Sequence, residues 1–119
     1  NPSARWNADS LIKKIKNIHE YADHIHVSNQ DACDYIEEAY WMKHATIFVD
    51  PPYFVKGKML YNLYYTKEDH KELSFLLDNL YKGMPGADMI VTYDYCREIE
   101  DLYIYPEMEV VGRKYCIAN

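Results

Sequence analysis

With 119 residues, 49% of them hydrophobic and 15% aromatic, the chain has the composition of a globular protein and the length of one domain at most. Its formal net charge of −6 argues against a complete nucleic-acid-binding surface, because affinity for phosphate comes from clustered Lys and Arg. No apolar run approaches the roughly 20 residues of a membrane span. The polar N-terminus carries no apolar signal-like region, so a cytoplasmic location is expected.

The three cysteines, Cys33, Cys96 and Cys116, are odd in number and far apart, which predicts reduced, partly buried thiols rather than a disulfide framework or a zinc site. The five histidines show no H-E-x-x-H spacing, and no metal is expected.

Asn7 is placed to cap a helix in which Leu11, Ile15 and Ile18 recur at i, i+4 and i+7. Lys13, Lys14 and Lys16 suit the solvated face of that helix better than a phosphate-binding patch. After Tyr21 the period changes to two, with Ile25 and Val27 alternating with His24, His26 and Ser28, which predicts a short strand. Asn29-Gln30-Asp31 is turn chemistry. Asp31 then precedes the helical pattern Ala32, Tyr35, Ile36, Ala39 and Tyr40, for which it is a natural N-cap.

Thr46, Ile47, Phe48 and Val49 form an unbroken β-branched and aromatic run, the pattern of a strand buried on both faces of a parallel sheet. Asp50-Pro51-Pro52-Tyr53 ends that run, since neither proline donates a backbone hydrogen bond and each fixes its own φ. The carboxyl end of a strand is where open α/β sheets place their ligands. A carboxylate, a free proline carbonyl and a flat aromatic ring in succession suit a planar amine such as the exocyclic group of a nucleobase. The same four residues also suit a plain strand-ending turn, with Asp50 bonding its own loop and Tyr53 filling a gap.

Residues 54–66 predict a long connection that carries Lys56, Lys58 and several tyrosines. Such a loop fits either a surface that holds an extruded base or a tyrosine-rich segment packed on its own sheet. Thr66 is set to cap the next helix, whose stripe is Leu73, Leu76, Leu77 and Leu80, with Asp69 and His70 in its first turn as helix-start electrostatics. Gly83-Met84-Pro85-Gly86 breaks the chain before a strand at Met89–Thr92, which ends at Tyr93-Asp94. Asp94 reads as the cap of a short helix containing Ile99 and Leu102, at the same sheet edge as Asp31 and Asp50. Met108–Val111 and Lys114–Ile117 predict two short terminal strands around Gly112. Helices and strands alternate throughout, so the fold class is α/β, with a mostly parallel sheet and flanking helices.

Asp50-Pro51-Pro52-Tyr53 resembles the amino-group signature of DNA adenine methyltransferases of the Dam type, which methylate the 6-amino group of adenine with S-adenosylmethionine. Ala4-Arg5-Trp6-Asn7 with Leu11–Ile15, the block Phe54–Tyr61, Asp69-His70 and Val91-Thr92-Tyr93-Asp94 are similar to other family segments, in the family's order. The resemblance implies a partial Rossmann-like methyltransferase fold and places residues 1–119 in the C-terminal portion of a catalytic domain. The glycine-rich cofactor loop and the target recognition region would precede it. None of the four glycines here lies in a G-x-G cluster.

The resemblance assigns catalytic roles to Asp50, Pro51, Pro52 and Tyr53, and cofactor contacts to Asp31, Ala32 and Asp50. Asp50 and the Pro51 carbonyl would accept the two amine N–H groups, Pro52 would stiffen the turn and Tyr53 would stack on an adenine flipped out of double-stranded DNA. This chain by itself would then be inactive and bind S-adenosylmethionine weakly. Other planar amines, on cytosine, an RNA base or a protein glutamine, fit the same grip. A truncated, non-catalytic binding module fits the acidic charge.

Overall fold

The computed structural model describes residues 6–57 and 64–112. The chain divides into two units, Asn1–Gln30 and Asp31–Asn119.

In the first unit, helix α1 spans Ala8–His19 and begins where expected, with the Asn7 side chain accepting from the Ser10 amide at 3.0 Å. A single 3-10 turn follows at Ala22–His24. The strand expected around Ile25 and Val27 does not form, and both residues are exposed. Two alternating apolar side chains specify a strand only where a neighbouring strand pairs with them, and among the described residues no strand does.

The second unit is a small α/β assembly. Helix α2, Ala32–Tyr40, is capped by Asp31 as the sequence predicts. Strand β1, Thr46–Val49, connects through helix α3, Lys67–Lys82, to strand β2, Asp88–Val91, and helix α4, Arg97–Leu102, follows. β1 and β2 pair in parallel, Thr46 opposite Asp88 through Val49 opposite Val91. A parallel pair requires a long crossover, and α3 supplies it. The N-terminus of α3 is a capping box: Thr66 Oγ1 accepts from the Asp69 amide at 3.2 Å while the Asp69 carboxylate accepts from the Thr66 amide at 2.7 Å. These bonds hold the Asp69 carboxyl below the usual aspartate range.

Ile36 of α2, Val49 of β1, Leu73 and Leu77 of α3, Ile99 of α4 and Tyr103 form the core, with Ile47, Met89 and Val91 packed against it. Among the described residues, this core covers one face of the sheet. Phe48 is 63% exposed and Ile90 50%, so the expectation of a strand buried on both faces is corrected. An unbroken apolar run shows that both faces are apolar; whether both are covered depends on what packs there. Among the described residues the sheet has two strands, fewer than the alternating pattern predicts. Met108–Val111 forms no strand, and Lys114–Ile117 lies outside the described residues. No helix among the described residues is long and apolar enough to cross a membrane.

The turn between α3 and β2 is seated on α2. The Tyr40 hydroxyl lies 2.8 Å from the Leu80 carbonyl and 2.7 Å from that of Met84, and the Tyr40 carbonyl accepts from the Ala87 amide at 2.7 Å. Gly86 passes so close to this tyrosine that a Cβ would collide with its carbonyl oxygen and its ring, both already held. Gly86→Ala is accordingly expected to lower stability by about 1–3 kcal/mol. Gly112→Ala, where a Cβ meets nothing within 4 Å, is the control expected to leave the urea midpoint unchanged.

Candidate functional site

The carboxyl ends of β1 and β2 carry the candidate site. Asp50 follows the last residue of β1, and its exposed carboxylate accepts from the Thr92 hydroxyl, with Oγ1 2.6 Å from Oδ1. That bond crosses the sheet, and among the described residues Asp50 accepts none from its own loop. Among the described residues, Asp50 Oδ2 and the Pro51 carbonyl accept no hydrogen bond. Pro51 is buried, Pro52 and Tyr53 are half-buried, and the Tyr53 ring makes no ring contact with a described aromatic.

The backbone beyond Tyr53 turns back at once, with the Gly57 amide donating to the Tyr53 carbonyl at 3.0 Å. The three amides within this turn point at one side chain. Asp94 Oδ1 accepts from Phe54 N at 2.8 Å, and Oδ2 accepts from Val55 N at 3.1 Å and Lys56 N at 3.4 Å. The expectation that Asp94 caps α4 is thus corrected. Cys96 holds the cap position without a side-chain bond, and Asp94 serves the loop after the D-P-P-Y segment. Lys58, Tyr61 and the rest of the connection to residue 63 lie outside the described residues.

Beneath this turn lies His70, only 1% exposed and enclosed by the rings of Phe54, Tyr65 and Tyr93 at centroid distances of 5.1, 5.3 and 5.6 Å. Its Nδ1 is 3.2 Å from the Tyr93 hydroxyl, itself 3.3 Å from that of Tyr103. Its Nε2 is buried with no hydrogen-bond partner. Burial depresses the His70 pKa against the opposing pull of Asp69 and Asp94, and burial pushes the Tyr93 phenol up to about 12. The histidine was expected to act only in helix-start electrostatics. Its burial was nevertheless legible, since His70 falls on the same helical stripe as Leu73 and Leu77.

Asp31 Oδ1 accepts from the amides of Cys33 at 2.9 Å and Asp34 at 3.2 Å, while Oδ2 has no partner among the described residues. Ala32 is exposed. An acceptor free beside a helix N-terminus suits an amino group at the adenine end of S-adenosylmethionine. The glycines among the described residues, at 57, 83, 86 and 112, form no backbone cradle for its methionine end, so the described residues fit the cofactor only in part. Cys33 and Cys96 are free and half-buried, and burial raises both thiols, so neither is an activated nucleophile. A hollow of about 690 Å³ lies along α3 and the segment after α4, lined among others by Lys71, Phe75 and Tyr105; Asp50 and Tyr53 do not line it.

Comparison of the chain with protein-family models, curated proteins and solved structures finds no match. The functional reading therefore rests on the D-P-P-Y segment and its surroundings.

A neutral histidine sealed in an aromatic enclosure makes stability depend on pH. The folded pKa of His70 lies below the unfolded value of 6.5, so the unfolded chain binds the proton first. The contribution is complete above pH 6.5 and is lost as pH falls from there through the depressed value. Urea titrations at stepped pH are expected to show this slope, and His70→Phe is expected to flatten it. Loss of Asp69 capping belongs to a separate window below 3.8.

Proposed function

We propose that this chain carries the base-gripping part of an S-adenosylmethionine-dependent adenine-specific DNA methyltransferase, with a partial Rossmann-like methyltransferase fold. The observation that carries the reading is the pair of acceptors without a partner among the described residues, Asp50 Oδ2 and the Pro51 carbonyl, on successive residues at the end of β1, the second of them two residues before the half-buried Tyr53.

In this reading Asp50 accepts one N–H of the adenine amine and the Pro51 carbonyl accepts the other. With both protons taken, the nitrogen lone pair is left for the electrophile. Pro51 and Pro52 restrict the backbone, so little ordering is required when the base arrives. Tyr53 offers its ring to the flipped base, a contact worth about 1–3 kcal/mol in comparable single-stranded complexes. Asp31 Oδ2 is the acceptor available to the adenine end of the cofactor. When bound, S-adenosylmethionine supplies the electrophilic methyl group. Asp50, already accepting from an amine N–H, would hold the proton that the nitrogen gives up on methylation, so no separate catalytic base is required.

In this reading the basic groove for duplex DNA would belong to other parts of the polypeptide, since a formal charge of −6 argues against one here. The same charge is what favours the second reading, a binding module that does no chemistry.

The test is methyl transfer to duplex DNA by the polypeptide that carries this chain, scored as 6-methyladenine. Asp50→Ala is expected to reduce turnover by at least about a hundredfold, the scale of removing one group that stabilises a developing charge. Turnover within a few-fold of the parent would refute the role of Asp50. A binding module instead predicts partner binding indifferent to Asp50→Ala and Tyr53→Ala.

A further inference from the structure

We infer that Thr92 and Asp94 are positioning residues that clamp the D-P-P-Y segment from the neighbouring strand; what they position there rests on the methyltransferase reading. Two of the segment's four residues, Pro51 and Pro52, have no N–H with which to join the ladder, so the first amides available to a clamp follow them. The ladder instead runs one residue past β2, where the Thr92 amide donates to the Val49 carbonyl at 3.0 Å. In extended chain, side chains alternate in direction, which sends Thr92 and Asp94 to one side and Tyr93 to the other.

All three side chains are engaged in keeping with that alternation. Tyr93 meets His70 and Tyr103 at 3.2 and 3.3 Å, which anchors this strand end in the core. Thr92 donates to Asp50 Oδ1 at 2.6 Å, a short bond to an ionised acceptor. It fixes the plane of the carboxylate and leaves Oδ2 to face a ligand. Asp94 receives the amides of Phe54, Val55 and Lys56 at 2.8, 3.1 and 3.4 Å, so the chain leaving Tyr53 is tied down directly after the ring. Successive backbone N–H groups that converge form an anion-binding concavity, and here the protein's own carboxylate fills it. An asparagine has one acceptor oxygen where the aspartate has two, and it turns an NH₂ toward the remaining amides.

Two variants separate this clamp from a general loss of folding. In Asp94→Asn, hydrogen exchange at the amides of Val55 and Lys56 is expected to quicken by about tenfold or more, while the α3 amides of Leu73 and Leu77 keep their protection. In Thr92→Val, kcat for methyl transfer is expected to fall by about ten- to a hundredfold with KM little changed, because Asp50 is present but misaimed. Thr92→Ser, which restores the hydroxyl, is expected to restore most of the rate. Unchanged exchange in Asp94→Asn overturns the Asp94 arm. A Thr92→Val enzyme as fast as the parent, alongside an inactive Asp50→Ala, overturns the Thr92 arm and leaves the methyltransferase reading standing. If Asp50→Ala is as active as the parent, or the parent transfers no methyl group, that reading fails and the exchange measurement decides the clamp by itself.

Discussion

A carboxylate that accepts three consecutive backbone N–H groups is the interaction on which the candidate site depends. Asp94 occupies both of its oxygens with the amides of residues 54–56, immediately after a segment whose two prolines have none to offer. Because the acceptor is ionised, these bonds are stronger than neutral ones, and because they converge on one side chain they restrain direction as well as distance. The segment's conformation is thereby set by a residue some forty positions further along the chain. Parallel pairing of β1 and β2 makes this possible, since it brings the carboxyl ends of both strands to the same edge.

The same edge is joined to the interior through aromatic rings. Phe54 belongs to the turn held by Asp94, and its ring packs on His70, which in turn meets Tyr93. A buried imidazole nitrogen without a partner costs stability, on the order of 1–3 kcal/mol for a typical unsatisfied polar group. The surrounding rings bury enough apolar surface to retain it, and the neutral imidazole is the form their low polarity favours. The loop, helix α3 and the segment after β2 thus share one packed cluster.

The acidity of the chain takes on a different meaning in this light. Asp31, Asp69, Asp78 and Asp94 each accept backbone N–H groups, Asp78 those of Ile104 and Tyr105 at 3.1 and 3.4 Å. In composition these residues count against a phosphate-binding surface. In the fold they satisfy amides at helix starts and in irregular segments, where no ladder is available. Asp50 differs from all four in accepting only from a side-chain hydroxyl; like Asp31, it keeps one oxygen without a partner among the described residues.

Local chemistry determined α1, α2 and α3, because a capping side chain and a 3.6-residue apolar period act within a few residues of themselves; Asn7, Asp31 and Thr66 all cap where the sequence places them. It also determined β1 and β2 and the stop imposed by Pro51 and Pro52, since β-branched runs and missing donors are properties of the residues alone. Only the tertiary structure decided that Ile25 and Val27 stay out of a sheet, that Phe48 faces outward, that His70 is sealed, and that Asp94 turns from its own helix to another loop. Each of those outcomes depends on which distant group arrives to accept a hydrogen bond or cover a surface, and such a partner leaves no mark on the local pattern.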